Sequence, residues 1–158
     1  MPNDALRRSA PPSTVLPDVG DKRARRTGAA FRAVATVHAL AVFGQPILAG
    51  RFMNGDTAML ELHGDNAVVV GVLGIVQLIV AILCWRIARG GSWPCSWPVP
   101  LCVGLALAEP LQIFFGFNRV IGLHVPLGVA IVATTVVLLI SVWTRPRAVG
   151  AGDNGGDS

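Results

Sequence analysis

Charged side chains are scarce in this sequence, and their scarcity excludes an ordinary soluble domain. Only 14% of the 158 residues are charged, whereas 53% are hydrophobic. The mean hydropathy is +0.60, which is far above the value expected for a soluble domain of this length. The length suits a single domain. The composition therefore predicts an integral membrane protein that contacts the lipid bilayer.

Cysteine is also scarce, and the spacing of Cys84, Cys95 and Cys102 matches no zinc-binding pattern. We expect all three thiols at the cytoplasmic side of the membrane, where thiols stay reduced. This excludes a disulfide framework. We interpret the cysteines as small apolar residues.

Long apolar runs are abundant, and there are four of them. About twenty helical residues cross a hydrocarbon core of roughly 30 Å, and only helices satisfy their own backbone groups in lipid. The sequence therefore predicts an all-α fold, a four-helix transmembrane bundle with up-down-up-down order. The predicted spans are residues 33–50, 66–85, 98–117 and 120–143.

Basic residues are unevenly distributed between the two predicted sides of the membrane. Eleven lie before the first span, between spans two and three or after span four, and two, Arg51 and Arg119, lie on the other side. This bias predicts cytoplasmic N- and C-termini in a multi-pass protein of the cell membrane. The net charge of +4 is thus explained by topology, and we expect no nucleic-acid partner.

The polar composition of both ends predicts tails outside the membrane domain. We predict a disordered basic cytoplasmic tail over residues 1–28, a four-helix transmembrane domain over 29–145 and a flexible cytoplasmic tail over 146–158. The first tail contains no apolar run that could form a core.

Two short segments of the sequence resemble each other. "FGQPILAGRF" closes the first span and "EPLQIFFGFNR" closes the third, and each is followed by a loop and a Leu-His pair. His63 and His124 therefore open spans two and four from the same side. The repeat predicts two helix hairpins related by a pseudo-twofold axis along the membrane normal.

The two histidines predict a haem site. Helices two and four of an up-down-up-down bundle are diagonal neighbours across the core, so neutral imidazoles of His63 and His124 could supply both axial ligands of one b-type haem iron. Gly128, one turn below His124, leaves space for a flat macrocycle, and Gly71 and Gly74 are further small residues. The alternative is that both histidines are interfacial groups without a cofactor.

Five further polar residues lie within the predicted spans, where each needs a partner or a purpose. Glu109 is either a protonated acid bonded to Gln45 or Gln77, or a proton-carrying carboxyl. His38 is expected on the order of 14 Å below the other histidines from the helical rise and core thickness. We expect it to bond Thr134 or Thr135 instead of a cofactor. The five residues are Glu109, Gln45, Gln77, Gln112 and His38.

The segment "LQIFFGFNRVIGLHVPLGVAI" resembles the end of a four-helix half of haem A synthase, and the outline also resembles uncharacterised four-helix bacterial membrane proteins. The resemblance implies haem ligation by histidines on the second and fourth helices, here His63 and His124. The chain differs in having one four-helix unit and no cysteine pair in an outer loop. Glu61 lies two residues before His63, whereas the family's loop glutamate lies three before. Haem A synthesis itself is therefore not expected.

Three functions follow from these patterns. The leading one is binding of one b-type haem for electron transfer or haem handling, with a redox partner or a second copy of the chain. The second is a cofactor-free structural or interaction subunit of a membrane complex, and the third is a proton-coupled carrier built around Glu109. No set of residues predicts a catalytic reaction.

Overall fold

The computed structural model describes residues 19–88 and 97–144 of the chain. The helices are α1 (Val19–Met53), α2 (Ala58–Ala88), α3 (Pro98–Phe117) and α4 (Ile121–Thr144). Each contains a segment that is long and apolar enough to cross a membrane. The prediction of an all-α, four-helix fold is confirmed for these residues, and the four apolar helices are consistent with an integral membrane protein. Residues 1–18 of the expected N-terminal tail, the whole expected C-terminal tail over 146–158, and Cys95 lie outside the described residues.

Two helices begin earlier than the apolar runs predicted. The first helix starts at Val19, so residues 19–28 are helical and do not belong to a disordered tail. The second starts at Ala58, eight residues before the predicted span. Both extensions are polar but rich in residues with good helix propensity, such as Ala, Arg, Leu and Glu. The apolar runs predicted only the hydrophobic part of each helix, whereas backbone hydrogen bonding continues both helices into the polar residues that precede it.

Each helix packs against its neighbours in the chain, and α1 also packs against α4. The pairs α1–α3 and α2–α4 make no close backbone approach among the described residues. They are therefore the diagonals of the bundle, as expected for α2 and α4. Less than a third of the most apolar 18-residue window of each helix is buried, from 17% in α3 to 28% in α2. The remaining apolar surface is suited to contact with lipid.

The core between α1 and its neighbours consists mainly of small side chains. Ala35, Ala39 and Ala81 are each at most 2% exposed, and Leu105 and Leu138 fill the centre. Small residues let membrane helices approach closely, which is the main source of packing energy where lipid is as apolar as the core. The polar side chains described below lie among these residues.

The two inter-helix loops 54–57 and 118–120 have the same hydrogen-bond pattern. In the first, the amides of Gly55 and Asp56 donate to the carbonyls of Phe52 and Arg51 at 3.0 and 3.2 Å. In the second, the amides of Arg119 and Val120 donate to Gly116 and Phe115 at 3.1 and 2.9 Å. Both are Schellman motifs, which end a helix by a left-handed residue. The pseudo-repeat in the sequence therefore extends to the turns.

The left-handed positions of these turns hold different residues. Gly55 has φ of 99°, and Arg119 has φ of 57°. A left-handed backbone costs a residue with a Cβ about 1–2 kcal/mol, whereas glycine adopts it freely. Arg119 thus carries conformational strain that Gly55 avoids.

Arg119→Gly should therefore stabilise the protein by about 1 kcal/mol, because the relief of strain exceeds the entropy that glycine gains in the unfolded chain. Thermal unfolding of purified protein in detergent measures the change. Gly55→Arg is the matched reverse substitution and should lower the melting temperature. An unchanged or lower melting temperature for Arg119→Gly would show that the turn is not strained.

A histidine pair and a buried polar network

The imidazoles of His63 and His124 lie face to edge across the α2–α4 diagonal. Their ring centroids are 6.2 Å apart and the ring planes make an angle of 64°. Because both residues lie within two turns of the start of their helices, the N-terminal ends of α2 and α4 lie at the same end of the bundle. The structure thus brings together the two histidines that the repeat singled out.

Each histidine contacts the backbone of a glutamine on the preceding helix. His124 Nδ1 lies 3.0 Å from the Gln112 carbonyl oxygen, and His63 Nδ1 lies 3.2 Å from the Gln45 carbonyl oxygen. Gln45 and His63 lie ten and eight residues from Gly55, and Gln112 and His124 lie seven and five from Arg119. Gln45 and His63 are therefore about one helical turn further from their loop than Gln112 and His124 are from theirs. The two Gln–His contacts are still equivalent, because α1 and α2 are both longer than α3 and α4.

The backbone contact fixes the tautomer of His124. A carbonyl oxygen only accepts hydrogen bonds, so Nδ1 carries the proton and Nε2 keeps its lone pair. Metal-binding histidines commonly have this arrangement, in which one ring N–H donates to a carbonyl and the other nitrogen binds the metal. The His124 ring also packs closely against Gly116 of α3, where an added Cβ would lie 3.0 Å from His124 Cε1.

The side chain of Gln45 gives His63 a choice of tautomer. In one orientation of the Gln45 side chain, its amide nitrogen donates to His63 Nδ1 at 2.7 Å and its amide oxygen accepts from the Ala67 backbone amide at 2.8 Å. Because Nδ1 is then an acceptor, the imidazole proton lies on Nε2. When Nδ1 donates to the Gln45 carbonyl instead, Nε2 is free to bind a metal. The tautomer of His63 therefore depends on the orientation of one amide.

A cavity of about 70 Å³ lies next to the two histidines. Its wall includes both histidines, Gln45, Gln112 and Glu109, although its surface is almost entirely apolar. Gly128 lies in its wall, where a Cβ would come within 2.8 Å of Gln112 Nε2. The space expected above Gly128 is thus occupied by the Gln112 side chain. Three of the five further polar residues from the sequence share one cavity with the histidines.

A second polar cluster lies across the α1–α3 diagonal. His38 and Glu109 are 0% and 1% exposed, and His38 Nε2 lies 2.9 Å from Glu109 Oε1. His38 Nδ1 lies 3.0 Å from Gln77 Oε1, and Gln77 Nε2 donates to Cys102 Sγ at 3.7 Å. We call these four residues the core network.

The partners expected for His38 and Glu109 were wrong. His38 does not bond Thr134, whose hydroxyl donates to the Ala130 carbonyl of its own helix at 2.8 Å. The Thr135 hydroxyl is buried without a hydrogen bond among the described residues. Glu109 contacts His38 and is bonded to neither Gln45 nor Gln77 in the described hydrogen bonds. Helical spacing gave the depth of these groups, but not the direction in which each side chain crosses the core.

Gly74 receives the Glu109 carboxyl group. A Cβ on Gly74 would collide with Glu109 Oε2 and would lie 2.9 Å from its Cδ. The sequence suggested this glycine as space for a macrocycle, whereas its neighbour in the structure is the acid. Close approach of α2 to the carboxyl group therefore requires glycine at this position.

One polar contact was missed by the sequence interpretation. Asn66 Nδ2 donates to the Ala41 carbonyl oxygen at 2.8 Å, and a Cβ on Gly44 would lie 3.3 Å from that nitrogen. The signal was available, because Asn66 lies three residues after His63 and so shares its face of the helix. Cys102 was interpreted as an apolar residue and is in addition a weak hydrogen-bond acceptor.

Comparison with known proteins gives no family for this chain, since no family model, curated protein or solved structure matches it significantly. The resemblance to haem A synthase therefore rests only on the short segments quoted above. The case for a function has to come from the geometry of the site.

Gly74→Ala should destabilise the protein by about 1–3 kcal/mol, because the added methyl group displaces a buried carboxyl from its position. Gly64→Ala on the same helix is the matched control, since a Cβ there meets nothing within 4 Å. It should leave stability unchanged or slightly higher, as alanine favours a helix. Thermal unfolding in detergent compares the two variants. Equal melting temperatures would contradict the described packing of Glu109 on Gly74.

Proposed function

We propose that the protein is a multi-pass protein of the cell membrane that binds one b-type haem through His63 and His124. The proposed orientation has up-down-up-down helices with both termini in the cytoplasm and the histidines near the outer face. The observation that supports the haem proposal most directly is the position of the two imidazoles on diagonal helices at one end of the bundle.

The spacing of the imidazoles suits ligation of one iron. Nitrogen ligands bind transition metals at about 2 Å, so two imidazoles on opposite sides of one metal have ring centroids roughly 6 Å apart. The observed separation is 6.2 Å. The backbone carbonyls of Gln45 and Gln112 would orient the rings by accepting from Nδ1. Two histidines without a third ligand suit a haem, whose macrocycle supplies the other four nitrogens.

The volume of the cavity sets a condition on binding. Ligand pockets for molecules of drug size are usually 300–1,000 Å³, whereas this cavity has about 70 Å³. Insertion of a macrocycle therefore requires the Gln112 side chain to leave the space above Gly128 and the helices to separate. The separation of the two rings agrees with ligation of one iron, whereas their face-to-edge orientation would have to change and the space for the macrocycle would have to be created on binding.

A bound b-type haem would supply one-electron transfer. The chain's own contribution is to hold both imidazoles in the tautomer with Nδ1 protonated, which leaves Nε2 free on each ring. For His63 this requires Gln45 to leave the orientation that satisfies its side-chain amide, in which the amide nitrogen lies 2.7 Å from Nδ1, and to present an oxygen instead. The same site serves electron transfer or haem handling, depending on the partner.

Protein purified after haem-supplemented expression should show a Soret band and a sharp α band on reduction. His63→Ala and His124→Ala should each abolish the sharp α band, because loss of one axial ligand ends six-coordination of the iron. His38→Gln is the control, since His38 lies outside the cavity and the spectrum should persist. Colourless wild-type protein would refute the haem proposal and favour a cofactor-free structural subunit.

The proposed orientation has a separate test. The bias of basic residues predicts that loop 54–57 faces outward and the C-terminus faces the cytoplasm. In a Cys95→Ala background, Thr57→Cys should react with a membrane-impermeant thiol reagent in intact cells. Ser158→Cys should react only after the cells are opened, and the native Cys84 and Cys102 are buried. The reverse labelling pattern would show that the orientation is inverted.

A further inference from the structure

The core network contains one proton whose position the hydrogen-bond pattern constrains. Gln77 Oε1 only accepts, so His38 Nδ1 donates to it and carries a proton. His38 Nε2 and Glu109 Oε1 lie 2.9 Å apart, but they do not form an aligned hydrogen bond and have no other partner among the described residues. A proton held between the two atoms would satisfy both. It belongs either to an imidazolium facing a carboxylate or to a carboxylic acid facing a neutral imidazole. In both cases the pair has zero net charge.

Neutrality matters because the pair lies in the core of a membrane protein. Without the shared proton the pair would have one negative charge, and an isolated charge at such a depth is costly. No basic side chain of the described residues pairs with Glu109; its described polar partner is His38. The proton is therefore the counter-charge that stabilises this carboxyl group.

The second oxygen of Glu109 provides a route to this proton. Glu109 lines the cavity, and its Oε2 has no hydrogen-bond partner among the described residues. Gln112 Oε1, which belongs to another residue of the cavity wall, also has none. A buried acceptor without a partner is normally satisfied by water, and one water needs only about 10–15 Å³ of such space. A cavity of about 70 Å³ has room for water, which reaches the buried Oε2 when the Glu109 carboxyl group turns away from Gly74.

We propose that His38 and Glu109 form a proton-binding site in the bundle core that exchanges its proton with water in the cavity. In loading, an O–H bond of a hydronium ion in the cavity breaks, water remains, and the proton binds the Glu109 carboxylate, where His38 Nε2 shares it. Release is the reverse step and leaves a carboxylate beside a neutral imidazole. No electron is transferred and no other reactant is needed.

The titratable neighbours of the site come from all four helices. His38 lies on α1, His63 on α2 and His124 on α4, and α3 contributes Cys102 beside Glu109 itself. His63 and His124 line the same cavity as Glu109. A test therefore has to detect Glu109 individually.

The sequence makes such a test practical, because Glu61 and Glu109 are its two glutamates. In full-length protein labelled with glutamate carrying ¹³C in the side-chain carboxyl, Glu61→Gln leaves Glu109 as the single labelled carboxyl. Infrared spectroscopy then distinguishes acid from carboxylate. The acid band should convert to the carboxylate band as the pH is raised, and the acid band should shift within minutes of transfer to D₂O.

His38→Gln should change the pH at which Glu109 converts by about one unit or more, because it removes the partner that shares the proton. Protein labelled in the same way but retaining Glu61 supplies the control, since that exposed carboxyl should convert at the same pH with and without His38→Gln. A Glu109 signal unchanged by pH and by hours in D₂O in folded protein would show a sealed structural contact. An unaltered conversion pH in His38→Gln would also refute the pair. Protein without any cofactor is used, so the result is independent of the haem proposal.

Discussion

The contact between His38 and Glu109 connects α1 and α3, whose backbones make no close approach to each other among the described residues. The two side chains meet across the centre of the bundle at 2.9 Å, while the described backbones of both helices pack against α2 and α4. A carboxyl group at this position is tolerated only if its charge is neutralised and if the facing helix has no Cβ. His38 meets the first requirement and Gly74 the second, so the positions of α1, α2 and α3 are mutually dependent.

The other diagonal is connected by His63 and His124, and it obeys a similar rule. Polar side chains in this bundle lie against glycines of a neighbouring helix: Asn66 on Gly44, Gln112 on Gly128 and His124 on Gly116. Because glycine has no Cβ, each of these positions leaves space for the polar side chain that packs on it. Glycine substitutions at these positions and polar substitutions opposite them should therefore not act independently.

The two diagonals meet at the cavity, where Glu109 contributes to the same wall as both histidines. A charge on a cofactor held by the histidines would act on the proton of the Glu109 pair through a medium of low dielectric constant. The proposed haem site and the proposed proton site thus border the same cavity. Their separate tests decide whether the bundle contains one function, both or neither.

Hydrophobic runs in the sequence were sufficient to predict four helices, since about twenty apolar residues in lipid have no other stable conformation. The span of α3, residues 98–117, agrees with the structure at both ends. The repeated Gln and Leu-His segments also indicated that His63 and His124 belong together, because in both halves the glutamine lies two residues further from the turn than the histidine. The contacts of His38, Glu109 and Gly74 could not be predicted from the sequence. Helical periodicity defines a face and a depth, whereas the rotation of each helix, and thus which polar groups meet across the core, is decided only when all four helices pack together.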